Sequence, residues 1–160
     1  MIKTFIADLT KTAHTSALVE LLNCYALDPM GGGEALSDFT KENLAKEIQK
    51  RSDTTVILAF DGDKPAGLIN CIEGFSTFSA KPLLNIHDVY VATEYRGKGV
   101  AIMLLQEAET LAKTTGCCKI TLEVLEGNKP AQSAYLKQGF DGYELDPIMG
   151  RAMFWQKKLT

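Results

Sequence analysis

The chain has 160 residues, 46% of them hydrophobic and 23% charged, with a formal net charge of −3. That length suits one ordinary domain with a single core, and the mix is that of a soluble globular protein, which sets aside disorder and fibrous repeats. The mild acidity argues against a general nucleic-acid binder, which carries a basic excess to neutralise phosphates. No apolar run approaches the ~20 residues that cross a bilayer, and Met1 to Thr10 lacks a basic start and apolar middle. Cytoplasmic residence is expected, with neither nucleic acid nor membrane as partner. Cys24, Cys71, Cys117 and Cys118 form no CxxC pair and have no His at zinc spacing, so reduced thiols and no metal are expected.

Ile2 to Asp8 is apolar enough for a first strand, and Ala17, Leu18, Leu21, Leu22 and Tyr25 recur at helical spacing from a start between Thr12 and Ser16. Asp28-Pro29 and the run Gly31-Gly32-Gly33 break that helix and predict a flexible loop, a candidate lid. Leu36, Phe39, Leu44 and Ile48 predict a second, weaker amphipathic helix that ends before Ser52. Thr54 to Phe60 is β-branched and aromatic, Asp61-Gly62-Asp63 signals a hairpin turn, and Ala66 to Phe75 is the returning strand. Leu84 to Val91 predicts another strand, and Gly97 to Thr115 a helix with Val100, Leu104, Leu105, Ala108, Leu111 and Ala112 on its buried side. Ile120 to Leu125 follows as a strand, Asn128 to Gln138 as a shorter helix, and Phe140 to Glu144 and Ala152 to Lys158 as two terminal strands. The order, β α α β β β α β α β β, is an α/β (α+β) fold of about seven strands and about four helices. No repeat, low-complexity tract or linker interrupts it, so residues 1–160 are expected to form one domain.

The segment richest in chemistry is Asp88-Val-Tyr-Val-Ala-Thr-Glu-Tyr-Arg-Gly-Lys-Gly-Val-Ala101, where a strand passes into a helix through a turn with two glycines. Backbone N–H groups at Gly97, Lys98, Gly99, Val100 and Ala101 would point one way there, and the helix start adds about half a positive charge, which suits a pyrophosphate. Arg96 and Lys98 would add side-chain charge. A P-loop needs Gly-x-x-x-x-Gly-Lys-Ser/Thr, which is absent, and a dinucleotide fingerprint needs Gly or Ala where Ile102 stands.

Arg96-Gly97-Lys98-Gly99-Val100-Ala101 resembles the Arg/Gln-x-x-Gly-x-Gly/Ala signature of the GNAT superfamily of N-acetyltransferases. Leu122-x-Val124, Asn128, Ala131, Tyr135 and Gly139-Phe140 look like that family's second motif, so the likeness spans Leu84 to Phe140. It implies a GNAT fold, in which the mixed sheet splays between its fourth and fifth strands, and acetyl-CoA as co-substrate. Gly97 to Ala101 with Arg96 would then hold the pyrophosphate, and the backbone of Val89, Tyr90 and Val91 would pair with the pantetheine arm like an added strand. Asn128 either caps its helix or contacts that arm. Tyr135 is the candidate general acid for the departing thiolate, against the alternative of an aromatic that anchors its helix. The N–H of Val91 is a candidate oxyanion donor where the strand bulges. Direct transfer in a ternary complex is implied, since no cysteine falls in either motif; Cys71 is the one thiol worth following.

His87 and Asp88 resemble the Glu-Asp pair of polyamine acetyltransferases, with His87 where the Glu would be. His87 is a candidate base or water holder, or a structural strand histidine, and Asp88 a candidate anchor for a cationic substrate. The family builds its acceptor site from two loops, here Asp28 to Ala35 and Glu144 to Arg151, whose acids Asp28, Glu34, Glu144 and Asp146, with nearby Asp38, would favour a cationic amine. Tyr25, Met30 and Phe75 would supply apolar walls or, alternatively, core packing. A polyamine or diamine is the preferred acceptor, then an aminoglycoside or amino acid, then a protein amine. A silent acyl-CoA sensor is the competing class, and a homodimer is common in the family.

Overall fold

The β-branched run after Asp53 and its return after Asp63 form the middle of the sheet. In the computed structural model, which describes residues 1–159, five strands lie side by side in chain order. They are β1 (Ile2–Ile6), β2 (Thr54–Asp61), β3 (Lys64–Ser76), β4 (Lys81–Val91) and β5 (Ile120–Leu122). The first four pair antiparallel, and β4 pairs with β5 in parallel. Along β2, Val56 and Leu58 face one core while Ile57 and Ala59 face the other, the period of two that a sheet covered on both sides requires.

One face is covered by α1 (Thr12–Leu27), which buries Ala17, Leu18 and Leu21, together with α2 (Asp38–Gln49). Ser37 fixes the start of α2, because its hydroxyl accepts the Thr40 N–H at 3.1 Å. The other face is covered by α3 (Val100–Thr114), whose buried stripe runs through Val100, Leu104, Leu105, Ala108 and Ala112. Full burial of a leucine or isoleucine such as Leu104, Leu68 or Ile69 contributes about 2 kcal/mol each. The last helix, α4 (Lys129–Lys137), follows β5.

Three expectations are corrected. The sheet has five strands among the described residues rather than about seven, because neither Phe140–Glu144 nor Ala152–Lys158 forms a ladder: the one bridge there joins Glu144 to Arg151, just before the second segment. A terminal strand needs a ladder to extend, and β5 ends after three residues; the 3₁₀ turn Pro147–Met149 with Gly150 then interrupts the segment, and Ile148 and Trp155 stay exposed. The helix expected from Gly97 begins at Val100, since Gly97 and Gly99 hold φ of 75° and 81° outside helical space. The glycine run is also a built turn: Pro29–Gly31 is 3₁₀, the Gly31 N–H donates to the Asp28 carbonyl at 2.8 Å, and a Cβ on Gly31 would fall 1.9 Å from the Tyr25 carbonyl oxygen.

Candidate active site

The cleft begins where β4 and β5 part. Their parallel ladder stops at Ile86 and Leu122, while β4 runs on to Val91 beside β3. Asn70 pairs with Asp88 and Cys71 with Ile86, so His87 is the extra residue of a β-bulge. That bulge switches the facing of the strand. Leu84 and Ile86 pack on the α3 side before it; Val89 and Val91 do so after it, and Tyr90 turns to the α1 side. The backbone follows the same change. The Ala92 N–H donates to the Ala66 carbonyl at 3.0 Å, so in the alternating antiparallel ladder Asp88 and Tyr90 also bond β3. Val89 and Val91 therefore turn their N–H groups toward the open edge that β5 has left. The bulge expected near Val91 lies four residues earlier, and it is what directs the Val91 N–H outward.

The parted strands open a cleft of about 1040 Å³, floored by Val89 and Val91 and closed by the turn before α3 and by α4. Gly97, Gly99, Val100 and Ala101 line it. No side chain caps the start of α3 among the described residues, which leaves the first-turn N–H groups and the positive end of the helix facing the cleft. A Cβ on Gly97 or Gly99 would meet nothing within 4 Å, so the two glycines leave an open hollow at that end of the cleft.

Across the cleft, Asn128 caps α4 through its side-chain oxygen, which accepts the Ala131 N–H at 3.3 Å. Its amide nitrogen is the donor end, so capping and a ligand contact do not compete for one atom. Tyr135 lies two turns further along α4 on the same cleft side, packed against the α3-side core with its ring 5.9 Å from that of Phe140. Burial, with the nearby Tyr25 phenol adding to it, pushes Tyr135 up to about 12. Tyr25 lines the same cleft from α1 with its ring 6.0 Å from Tyr90, and burial followed by the charges of Asp88 and Asp28 raises its phenol too.

Other residues fall differently from expectation. His87 is exposed at the cleft edge. Asp88 accepts from the Asn70 amide at 2.9 Å on the α1 side and is not part of the cleft lining. Glu34 is exposed outside the cleft, and the Lys98 ammonium stands 5.4 Å over the Tyr95 ring instead of facing the hollow. The Arg96 guanidinium is bonded to Asp28 at 2.8 Å and to the Val91 carbonyl at 3.1 Å. The acidic rim is correspondingly weaker: Asp28 is held below the ordinary carboxylate value by Arg96 first, and Asp38 lies 3.9 Å from Lys41. Of the terminal segment, Phe154 reaches the cleft while Glu144 and Asp146 do not line it. Sequence reasoning missed Asn70, a buried amide between Ile69 and Cys71; a lone Asn in an apolar strand was its signal. Cys71 is fully buried and its thiol is pushed up to about 12 by desolvation, so it presents no thiolate to the cleft.

At this site a strand bulges and parts from its parallel neighbour beside a helix start that two glycines leave open. Residues 17–140 match the model of the acetyltransferase (GNAT) family, and the chain belongs to that family. It is 35% identical over 101 residues to the streptothricin acetyltransferase of Streptomyces lavendulae, covering 61% of this chain and 49% of that protein. With the thialysine N-epsilon-acetyltransferase of Caenorhabditis elegans it shares 30% identity over 96 residues, 60% of this chain and 59% of that one. The chain thus spans about half the length of these curated relatives. Among solved structures, the aminoglycoside N-acetyltransferase AAC(6')-Iy, in complex with the bisubstrate analogue CoA-S-monomethyl-acetylneamine, superposes with a TM-score of 0.78 over 99% of both chains. At 15% identity that likeness speaks to the fold alone.

Proposed function

We propose that this chain is an acetyl-CoA-dependent N-acetyltransferase that acetylates a primary amine by direct transfer. The observation that carries this reading is the meeting, in one cleft, of the hollow at Gly97 and Gly99, the outward N–H groups of Val89 and Val91, and the phenol of Tyr135. Acetyl-CoA supplies an activated thioester when bound. The residues that would hold it are Gly97, Gly99, Val100 and Ala101 at the diphosphate, Val89 and Val91 through their backbone along the arm, and Asn128 through its amide nitrogen.

Val91 supports acyl transfer because its N–H faces the gap, where it can donate to the carbonyl oxygen as negative charge builds on it. Tyr135 faces the leaving sulfur in this reading. A phenol near 12 stays protonated at neutral pH, whereas a thiol of pKa about 8.5 leaves a weaker conjugate base, so Tyr135 works chiefly by donating a hydrogen bond to the developing thiolate. His87, exposed at the cleft edge, accepts the proton of the attacking amine directly or through water. The buried Cys71 takes no part, which favours a ternary complex over an acyl-enzyme.

The acceptor is a small cationic amine in this reading. Support comes from Glu123, a carboxylate on the cleft wall, and from the Tyr25 phenol, which lines the same cleft. The named relatives act on thialysine and streptothricin, both amines. We assign a polyamine or diamine first and an aminoglycoside second, with cytoplasmic residence and homodimer formation as part of the same reading. The test is release of coenzyme A thiol from acetyl-CoA against spermidine, putrescine, kanamycin, thialysine, free amino acids and N-terminal peptides. Turnover with spermidine or putrescine supports it. Bound acetyl-CoA with no turnover on any amine would replace it with the sensor class.

A further inference from the structure

We propose that Arg96 is a positioning residue that sets the acceptor wall of the cleft, in place of the phosphate contact that its sequence position implies; this rests on the transferase reading above. Its guanidinium has three partners within the protein. Nη2 donates to Asp28 Oδ2 at 2.8 Å, Nε donates to the Val91 carbonyl at 3.1 Å, and the group stands 5.6 Å over the Tyr90 ring.

These partners belong to two parts of the cleft that no other polar side-chain bond joins among the described residues. Asp28 is the knot of the turn after α1. Its Oδ1 accepts the Met30 N–H at 2.9 Å, and its carbonyl accepts the Gly31 and Gly33 N–H groups at 2.8 and 3.2 Å. Val91 ends β4 and carries the N–H that faces the gap. Arg96 therefore ties the turn that places Met30 on the acceptor side to the strand that places the oxyanion donor. A planar fork can hold a carboxylate and a carbonyl at once, which a lysine ammonium on its flexible stem does poorly.

The pairing also settles what an incoming amine meets. Asp28 is one-fifth exposed and its charge is compensated by Arg96, so the turn presents Met30 and Pro29 as an apolar wall. Displacing Arg96 would free a carboxylate there and loosen the wall together.

The experiment compares Arg96→Ala, Asp28→Asn and the double variant by the KM for spermidine, the Kd for acetyl-CoA by calorimetry, and deuterium exchange of the peptide spanning residues 28–35. Each single change is expected to speed exchange at Met30, Gly31 and Gly33, and the KM for spermidine should rise about tenfold in Asp28→Asn, which leaves an uncompensated cation on the wall, and less in Arg96→Ala, where the freed carboxylate attracts the amine. The double variant should do no worse than either single, the mark of one shared interaction, with acetyl-CoA affinity held within about twofold. Arg96→Ala weakening acetyl-CoA about tenfold while Asp28→Asn binds normally would make Arg96 a phosphate contact and overturn the proposal, as would unchanged exchange in both variants. If wild-type protein leaves spermidine untouched, the amine assignment fails on its own, and the exchange measurement still decides the role of Arg96.

Discussion

Tyr135 and Cys71 share a displacement toward about 12 with the same leading cause, burial, yet only the tyrosine lines the cleft. Tyr135→Phe keeps the ring packed on Phe140 and removes the donor, so kcat should fall roughly 10²-fold while acetyl-CoA affinity persists. A wild-type rate in stopped-assay turnover would remove Tyr135 from the chemistry. Because the phenol loses its proton only as pH climbs toward about 12, Tyr135 contributes no alkaline fall in kcat below about pH 10. Cys71 acts on stability instead. Its unfolded-state value is 9.0 and its folded one about 12, so its contribution is complete below pH 9 and drains away as pH rises from 9 toward 12. Tyr135 adds to that loss from pH 10 upward, by the same sign. Urea midpoints at pH 7 and about pH 10.5 should therefore differ more in wild type than in Cys71→Ala; an equal difference in the two proteins would show that the thiol does not titrate with unfolding.

At the scale of elements, β4 does most to place the site, and its bulge sits opposite Asn70. Asn70 is 6% exposed, donates to Asp88, and keeps a buried side-chain oxygen with no hydrogen-bond partner among the described residues. An orphaned acceptor costs about 1–3 kcal/mol. Asn70→Leu, nearly the same shape, removes that orphaned acceptor and leaves the half-buried Asp88 carboxylate to water, so it should raise stability to urea by about 1 kcal/mol. A lower midpoint would mean that the amide holds the strand itself. The hairpin of β2 and β3 and the stripe of α3 were legible in the chain, because periods of two and 3.6 are local properties. The bulge at His87 was not, because it is a relation between β4 and β3 and not a local property of β4. The terminal strands failed for a similar reason, since apolar alternation near Trp155 says nothing about whether β5 offers a long enough edge.

Over the whole molecule, the site is assembled by β4, α3, β5 and α4 in sequence, which is why two motifs between Arg96 and Phe140 disclosed so much of it. What they could not disclose is the reach of Arg96 to Asp28, 68 residues away. On the proposed reading the same assembly would make acetyl-CoA a ligand of the folded state only, because Gly97, Asn128 and Val91 come together nowhere else. Ligand at about a hundredfold above Kd then adds about 2.7 kcal/mol. For a chain of 160 residues that corresponds to a rise of about 5–10 °C in the thermal midpoint. Gly99→Glu is the control, since a side chain at φ 81° would fill the hollow and set a carboxylate against the diphosphate. Its own midpoint should drop by a few degrees from backbone strain of about 1 kcal/mol, and added acetyl-CoA should no longer move it. A full ligand-induced rise in Gly99→Glu would place the diphosphate elsewhere in the cleft, and with it the direction in which the thioester approaches Tyr135.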